Sequence, residues 1–174
     1  MRHVALLRGI GPGNPKMRNP EIVRVLTEAG LDGVEAVISS GNYVFSSDAD
    51  RGELEDRIEA AMAAHLGAPC STIVRSQRQI AALCGLDVFD GRDDAPDARC
   101  QVTFLKRRPP AGVELPTGDG YEVLGLQRQA VFFVVDSTRQ KTPDVMAAME
   151  RTFGPQVTTR TWKTVHRIRA ALER

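Results

Sequence analysis

Aromatic side chains are scarce in this chain, at 5% of residues, so a core has to be assembled from Val, Leu, Ile and Ala. Net charge is lacking too: 23 Lys and Arg stand against 22 Asp and Glu, which leaves +1. So even a balance gives no overall pull toward nucleic acid or an anionic membrane. No apolar run approaches the roughly 20 residues of a membrane helix. Before Arg8 there is one apolar stretch of four residues, Val4, Ala5, Leu6 and Leu7. A signal-peptide core takes about 7–15, so a cytoplasmic protein with no membrane partner is expected.

Cysteine is equally sparse. Cys70, Cys84 and Cys100 are an odd number with no close pair. That argues against a disulfide framework or a zinc site and for inert thiols in a reducing cytosol. His3, His65 and His166 lie far apart, each without a second His or Cys at ligand spacing, so no metal site and no cofactor are expected. Residues 87–98 hold five Asp but lack the order of a calcium loop, and read as solvated. No Ser-His-Asp or Cys-His pairing follows from spacing. Choosing catalytic carboxylates among 22 acids would be arbitrary, so no catalytic residue is assigned.

What is present is an ordinary globular composition, 42% hydrophobic and 26% charged over 174 residues, enough for one large domain or two small ones. Residues 3–8 read as a buried strand, followed by a loop rich in Gly and Pro. Asn19-Pro20 predicts a helix start, a cap and then a proline, and Gly30 its end. Alternation over 34–39 and 42–47 around Gly41-Asn42 predicts a hairpin. A helix is expected from Asp50 to Leu66, a strand from Cys70 to Val74, and a short helix capped by Ser76 and closed by Gly85. The order strand, helix, strand, strand, helix, strand is that of the ferredoxin-like split βαβ arrangement, with a helix appended.

The second half predicts strands over 100–106, near 121–125 and 130–135, a helix from Thr142-Pro143 to Gly154, a short strand at 156–159 and a helix over 161–172. The expected class is α+β. Its divisions are a ferredoxin-like subdomain at 1–86, an acidic linker or loop at 87–98 and a second α+β subdomain at 99–174. No internal repeat is evident in residue identity.

Three segments, VALLRGIGPGNPKM near the start, VISSGNYVFSS at 37–47 and TTRTWKTVHRI at 158–168, resemble the domain-of-unknown-function 1697 family along the chain and in order. Gly11, Thr161 and Lys163 stand where that family usually has Asn. The resemblance implies the two-part α+β fold and no activity.

The same segments hold the candidate binding residues. Arg8 and Gly9 open a turn leading to Lys16. Such a loop can aim backbone N–H groups at an anion. It is not a Walker A loop, because Met17 follows Lys16, and a plain Pro/Gly connection is the bland alternative. Ser40, Gly41 and Asn42 offer hydrogen-bonding groups at a hairpin tip, or merely turn chemistry. Arg160, Trp162 and Lys163 stand at a helix start that favours anions, although a lone Trp opening an apolar stripe suits a core. From Arg151 to Arg174 there are six Lys or Arg and one acid, Glu173.

Together these residues suggest a pocket between the subdomains for a small anionic ligand, such as a nucleotide or a phosphorylated or carboxylated metabolite. Two other classes stand beside it. One is nucleic-acid binding through the basic C-terminal helix, with Tyr43 and Phe45 on one sheet face. The other is a scaffold that self-associates, as a homodimer for instance.

Overall fold

A computed structural model describes residues 1–11, 13–38, 41–92, 97–139 and 142–174. Within it the chain forms two compact units, residues 1–82 with 166–174, and residues 83–165.

The first unit holds β1 (Arg2–Leu7), α1 (Asn19–Glu28), β2 (Asp32–Ala36), β3 (Asn42–Ser46), α2 (Arg51–Leu66) and β4 (Thr72–Ser76), and most of α3 (Gln77–Cys84). Its sheet has the order β2-β3-β1-β4, every pair antiparallel. β1 and β2 therefore run in one direction, with β3 inserted between them. Registers Ala5↔Tyr43 and Ala5↔Val74 put these three residues on one face. That face packs with Ile22 and Leu26 of α1 and with Leu54, Ile58 and Met62 of α2 in a single buried core. Removing each such side chain from water contributes about 1.5–3 kcal/mol. The opposite face is apolar as well: Val4, Leu6, Val44 and Ile73 are buried. The chain's last residues are held to this unit where Arg2 Nη2 donates to the Ala171 carbonyl at 3.0 Å and Arg174 pairs with Glu35.

The helix ends follow local chemistry. Asp50 caps α2 by accepting from the Glu53 amide at 2.9 Å, and left-handed Gly67 (φ 73) closes it. Ser76 caps α3, accepting from the Gln79 amide at 3.2 Å. α1 departs from expectation. Its cap is Arg18, with no side-chain cap bond, and Asn19 is already helical. The Asn19 amide is used elsewhere, taking the Tyr43 hydroxyl at 2.9 Å and donating to the Ile38 carbonyl at 3.2 Å. β4 lies two residues later than 70–74, and its outer edge is closed by side chains. The amides of Thr72, Val74 and Ser76 donate to Glu59 Oε1 (2.7 Å), Glu55 Oε1 (2.9 Å) and Gln79 Oε1 (2.9 Å). An edge so occupied gives no further strand a row of free donors.

The second unit holds β5 (Ala98–Leu105), β6 (Tyr121–Gln127), β7 (Ala130–Asp136), α4 (Thr142–Phe153), β8 (Val157–Thr161) and the start of α5 (Trp162–Leu172). Its sheet has the order β6-β7-β5-β8, again all antiparallel, with a bulge in β6 before Gly125. Leu105, Val131, Phe133, Val135 and Val157 pack with Val145 and Met149 of α4. Phe89, in the Asp-rich stretch, is buried against Phe132 and Trp162.

Numbered within its own unit, each sheet has the order second-third-first-fourth strand. A helix follows the third strand and another follows the fourth in both. The difference is the first crossover, which carries α1 in the first unit and no helix over 106–120 in the second.

Candidate functional site

The C-terminal end of β1 joins two of the flagged segments. The Leu7 amide donates to the Gly41 carbonyl at 2.8 Å, and the Arg8 amide donates to the Ser71 carbonyl at 2.9 Å. Arg8 is half-buried here and Gly9 is left-handed (φ 73), which turns the chain off the sheet. Gly41 is forced by close approach. A Cβ on it would stand 3.0 Å from the Leu7 carbonyl oxygen and 3.1 Å from Ile10 Cγ1, at φ 72. Asn42 is fully buried, and its Nδ2 donates to the Val37 carbonyl at 3.2 Å, tying the hairpin shut.

Lys16 lies farther along the loop, in a 3-10 turn at Pro15–Met17 capped by Asn14. Its Nζ donates to the His65 carbonyl at 3.3 Å, while His65 Nε2 lies 2.9 Å from the Lys16 carbonyl. The loop is thus pinned to the end of α2, and the Gly11 amide rests 3.3 Å from Met17 Sδ. Cys70 donates its thiol to the Arg8 carbonyl at 3.8 Å; burial, aided by Glu59, pushes its pKa up to about 11, so it is no thiolate nucleophile at neutral pH. Arg8, Gly9, Gly41 and Asn42 are therefore neighbours. Ser40 lies outside the described residues. Tyr43 and Phe45 are fully buried and offer no stacking face to a base.

The flagged residues of the second unit are mostly interior. Arg160 on β8 is 9% exposed, and its Nη1 donates to Thr158 Oγ1 at 2.7 Å and the Thr159 carbonyl at 2.8 Å. Burial lowers its pKa to about 10, which still leaves it charged at neutral pH. Trp162 is buried, its ring 5.1 Å from that of Phe89 and 6.0 Å from that of Phe132. Lys163 is exposed at the first turn of α5.

Arg160 has a counterpart that no spacing argument singled out. Arg75 on β4 is also buried, its Nη1 also donates to the preceding carbonyl, Val74 at 2.9 Å, and burial likewise lowers its pKa to about 10. Each arginine precedes a hydroxyl residue, Ser76 or Thr161, which accepts from the amide three residues on at 3.2 Å. Each also faces a valine of its central strand, in registers Val4↔Arg75 and Val102↔Arg160. The sequence signal is the pair VRSQRQIAAL and TRTWKTVHRI, alike in arginine, hydroxyl, a base two further on and apolar residues at the fifth and eighth places after it. Among the described residues no group of His, Cys, Asp and Glu could hold a metal ion, and no helix is long and apolar enough to cross a membrane.

Residues 1–132 match the family described as "Protein of unknown function (DUF1697)". The chain belongs to this family. A solved structure titled "The structure of conserved bacterial protein SP0830 from Streptococcus pneumoniae" is similar to this member at 25% identity and a TM-score of 0.75, with 99% of this chain and 98% of that one covered. No curated protein matches this family member.

Proposed function

We propose that the first unit binds a small anionic ligand, such as a phosphate-bearing or carboxylated metabolite, at the end of β1. One observation carries the reading. The backbone bond from Leu7 to Gly41 joins the Arg8-Gly9 turn to the Gly41-Asn42 corner, two segments separated by more than 30 residues. A half-buried guanidinium beside a left-handed glycine, with Lys16 farther along the same loop, matches the chemistry that takes up phosphate and carboxylate. The tight closure of the corner supplies the fixed geometry such a site requires.

A thermal-shift panel of phosphate, pyrophosphate, nucleotides and dicarboxylates tests it. Ligand at about 100 times its dissociation constant stabilises by about 2.7 kcal/mol, a rise of roughly 5–10 °C for a chain of this size. Arg8→Ala should abolish the rise while leaving the ligand-free melting temperature within about 2 °C. A panel without any shift sinks the reading, and a shift that survives Arg8→Ala moves the site elsewhere.

A further inference from the structure

Ile38 joins two properties that seldom meet in a β-branched residue. Its backbone is left-handed (φ 56), a region that such a side chain strongly disfavours. It is also 36% exposed; apart from Met1 it is the exposed large hydrophobic among the described residues. One exposed apolar side chain is ordinary by itself. A strained backbone is not, and it persists only where its surroundings over-determine it.

The surroundings here do so with two side-chain amides. Asn42 Nδ2 donates to the Val37 carbonyl and Asn19 Nδ2 to the Ile38 carbonyl, each at 3.2 Å. Asn42 is fully buried, and Asn19 is fixed in turn by the Tyr43 hydroxyl at 2.9 Å. Both amides bond to backbone atoms, so glycine or asparagine at 38 would receive the same bonds without the strain. The second unit shows that the frame itself calls for no apolar residue. There the Leu105 amide donates to the Gln129 carbonyl at 3.0 Å, as that of Leu7 does to Gly41, and the Lys106 amide to the Gln156 carbonyl at 3.1 Å, as that of Arg8 does to Ser71. The left-handed residues of that corner are the polar Arg128 (φ 51) and Gln129 (φ 59).

The position of Ile38 gives its side chain a use. The loop over 8–18, which carries Arg8 and Lys16, is tied to this corner at both ends. Where the loop begins, the Leu7 amide donates to the Gly41 carbonyl at 2.8 Å. Where it ends, Asn19 holds the Ile38 carbonyl. The Val37 amide donates to the Asn42 carbonyl at 2.8 Å, which keeps Ile38 and Gly41 in one tight turn of chain.

We infer that Ile38 is a specificity-determining residue of the site proposed at Arg8, and that the ligand there is an anion carrying an apolar group. This rests on the Arg8 reading and adds the second half of the ligand: its phosphate or carboxylate goes to the cation, and its apolar group covers Ile38. Covering an exposed isoleucine favours binding through the apolar area removed from water.

Isothermal titration of the full chain with phenyl phosphate against methyl phosphate, and benzoate against acetate, tests it. Wild type should bind the aromatic member about tenfold tighter in the pair whose headgroup the site takes. Ile38→Asn should bring that preference to about twofold or less and leave the small member's binding unchanged. Its melting temperature should be no lower than that of wild type, because asparagine tolerates left-handed backbone. Arg8→Ala should weaken both members. A preference that survives Ile38→Asn overturns the inference, as does a variant that melts several degrees lower, which would make Ile38 a packing residue. If Arg8→Ala weakens binding but wild type shows no aromatic preference, the Arg8 reading stands and the inference falls. If Arg8→Ala changes nothing, both fall. A wild type that binds none of the four probes overturns the inference, and the thermal-shift panel then judges the Arg8 reading alone.

Discussion

Replacing Gly41 and Gly9 separately by alanine separates two reasons for a glycine. Both residues are left-handed, at φ 72 and 73, so both substitutions place a Cβ in a region that disfavours it by about 1–2 kcal/mol. Both also stiffen the unfolded chain, which returns about 0.4–1 kcal/mol. These terms are common to the two variants and cancel in their comparison. The surroundings differ. A Cβ at Gly9 meets nothing within 4 Å, whereas one at Gly41 would stand 3.0 Å from the Leu7 carbonyl oxygen and 3.1 and 3.2 Å from Ile10 Cγ1 and Cβ. The carbonyl belongs to the central strand and cannot retreat without loosening β1 from β3. Overpacking of this sort costs about 1–3 kcal/mol. Gly41→Ala should therefore unfold at a lower urea midpoint than Gly9→Ala, by roughly 0.5–1.5 M for a slope near 2 kcal/mol per M. Equal midpoints at equal slopes would show that the corner is not closed by contact, and the reasoning that joins Arg8 to Gly41 would fail with it.

Glu55→Ala leaves the buried Val74 amide without its acceptor, so a loss of about 1–3 kcal/mol in chemical denaturation is expected, with Glu55→Gln recovering part of it; an unchanged midpoint would contradict the edge-closing role. His3 stacks on Phe45 with ring centroids 5.7 Å apart. Burial pushes its pKa below 6.5, helped by the Met1 ammonium and opposed by the Ser47 backbone and the Asp48 carboxylate. The unfolded chain then binds the proton first as pH falls past about 6.5, so stability should decline from there down to the lowered folded pKa. His3→Phe should flatten that part of the melting-temperature profile, and a slope unaltered by the substitution would locate the titration elsewhere. Trp162→Ala should lower stability by about 3–5 kcal/mol, whereas Lys163→Ala next to it should stay within about 0.5 kcal/mol; comparable melting temperatures would place the tryptophan outside the core.

The α+β class and the succession of elements were readable because each signal was local. Asp50 and Gly67 bracket α2, Ser76 opens α3 and Thr161 opens α5, all by bonds spanning a few residues. Expectation slipped where a side chain served a distant partner. Asn19 looks like a cap from its neighbours, but Tyr43 claims its oxygen, and Tyr43 lies 24 residues away. The same limit explains Trp162. Its place opening an apolar stripe suited either a ring-stacking ligand residue or a core anchor, and only Phe89 and Phe132 decide where the ring lies. Burial of Arg160 was likewise invisible, because an arginine in a run of threonines reads as surface.

The shared plan of the two units shows which parts of a sequence a fold constrains. Arg75 and Arg160 agree because a guanidinium at that depth needs nearby acceptors, and the preceding carbonyl lies within reach in both strands. Ser76 and Thr161 agree because either hydroxyl can cap a helix. Gly41 and Gln129 agree only in backbone. At Gly41 a Cβ would meet both the Leu7 carbonyl oxygen and Ile10, the latter in a loop that the second unit replaces, whereas Gln129 shares only the left-handed φ. Residue identity thus diverges wherever packing differs, and persists where a hydrogen bond admits few chemical solutions. A search for identity misses such a repeat, and a search for hydrogen-bond register finds it. By the same argument, the cation after the first strand, Arg8 in one unit and Lys106 in the other, is the feature least explained by the backbone frame. Neither strand exit requires a positive charge to form its two backbone bonds, and both have one.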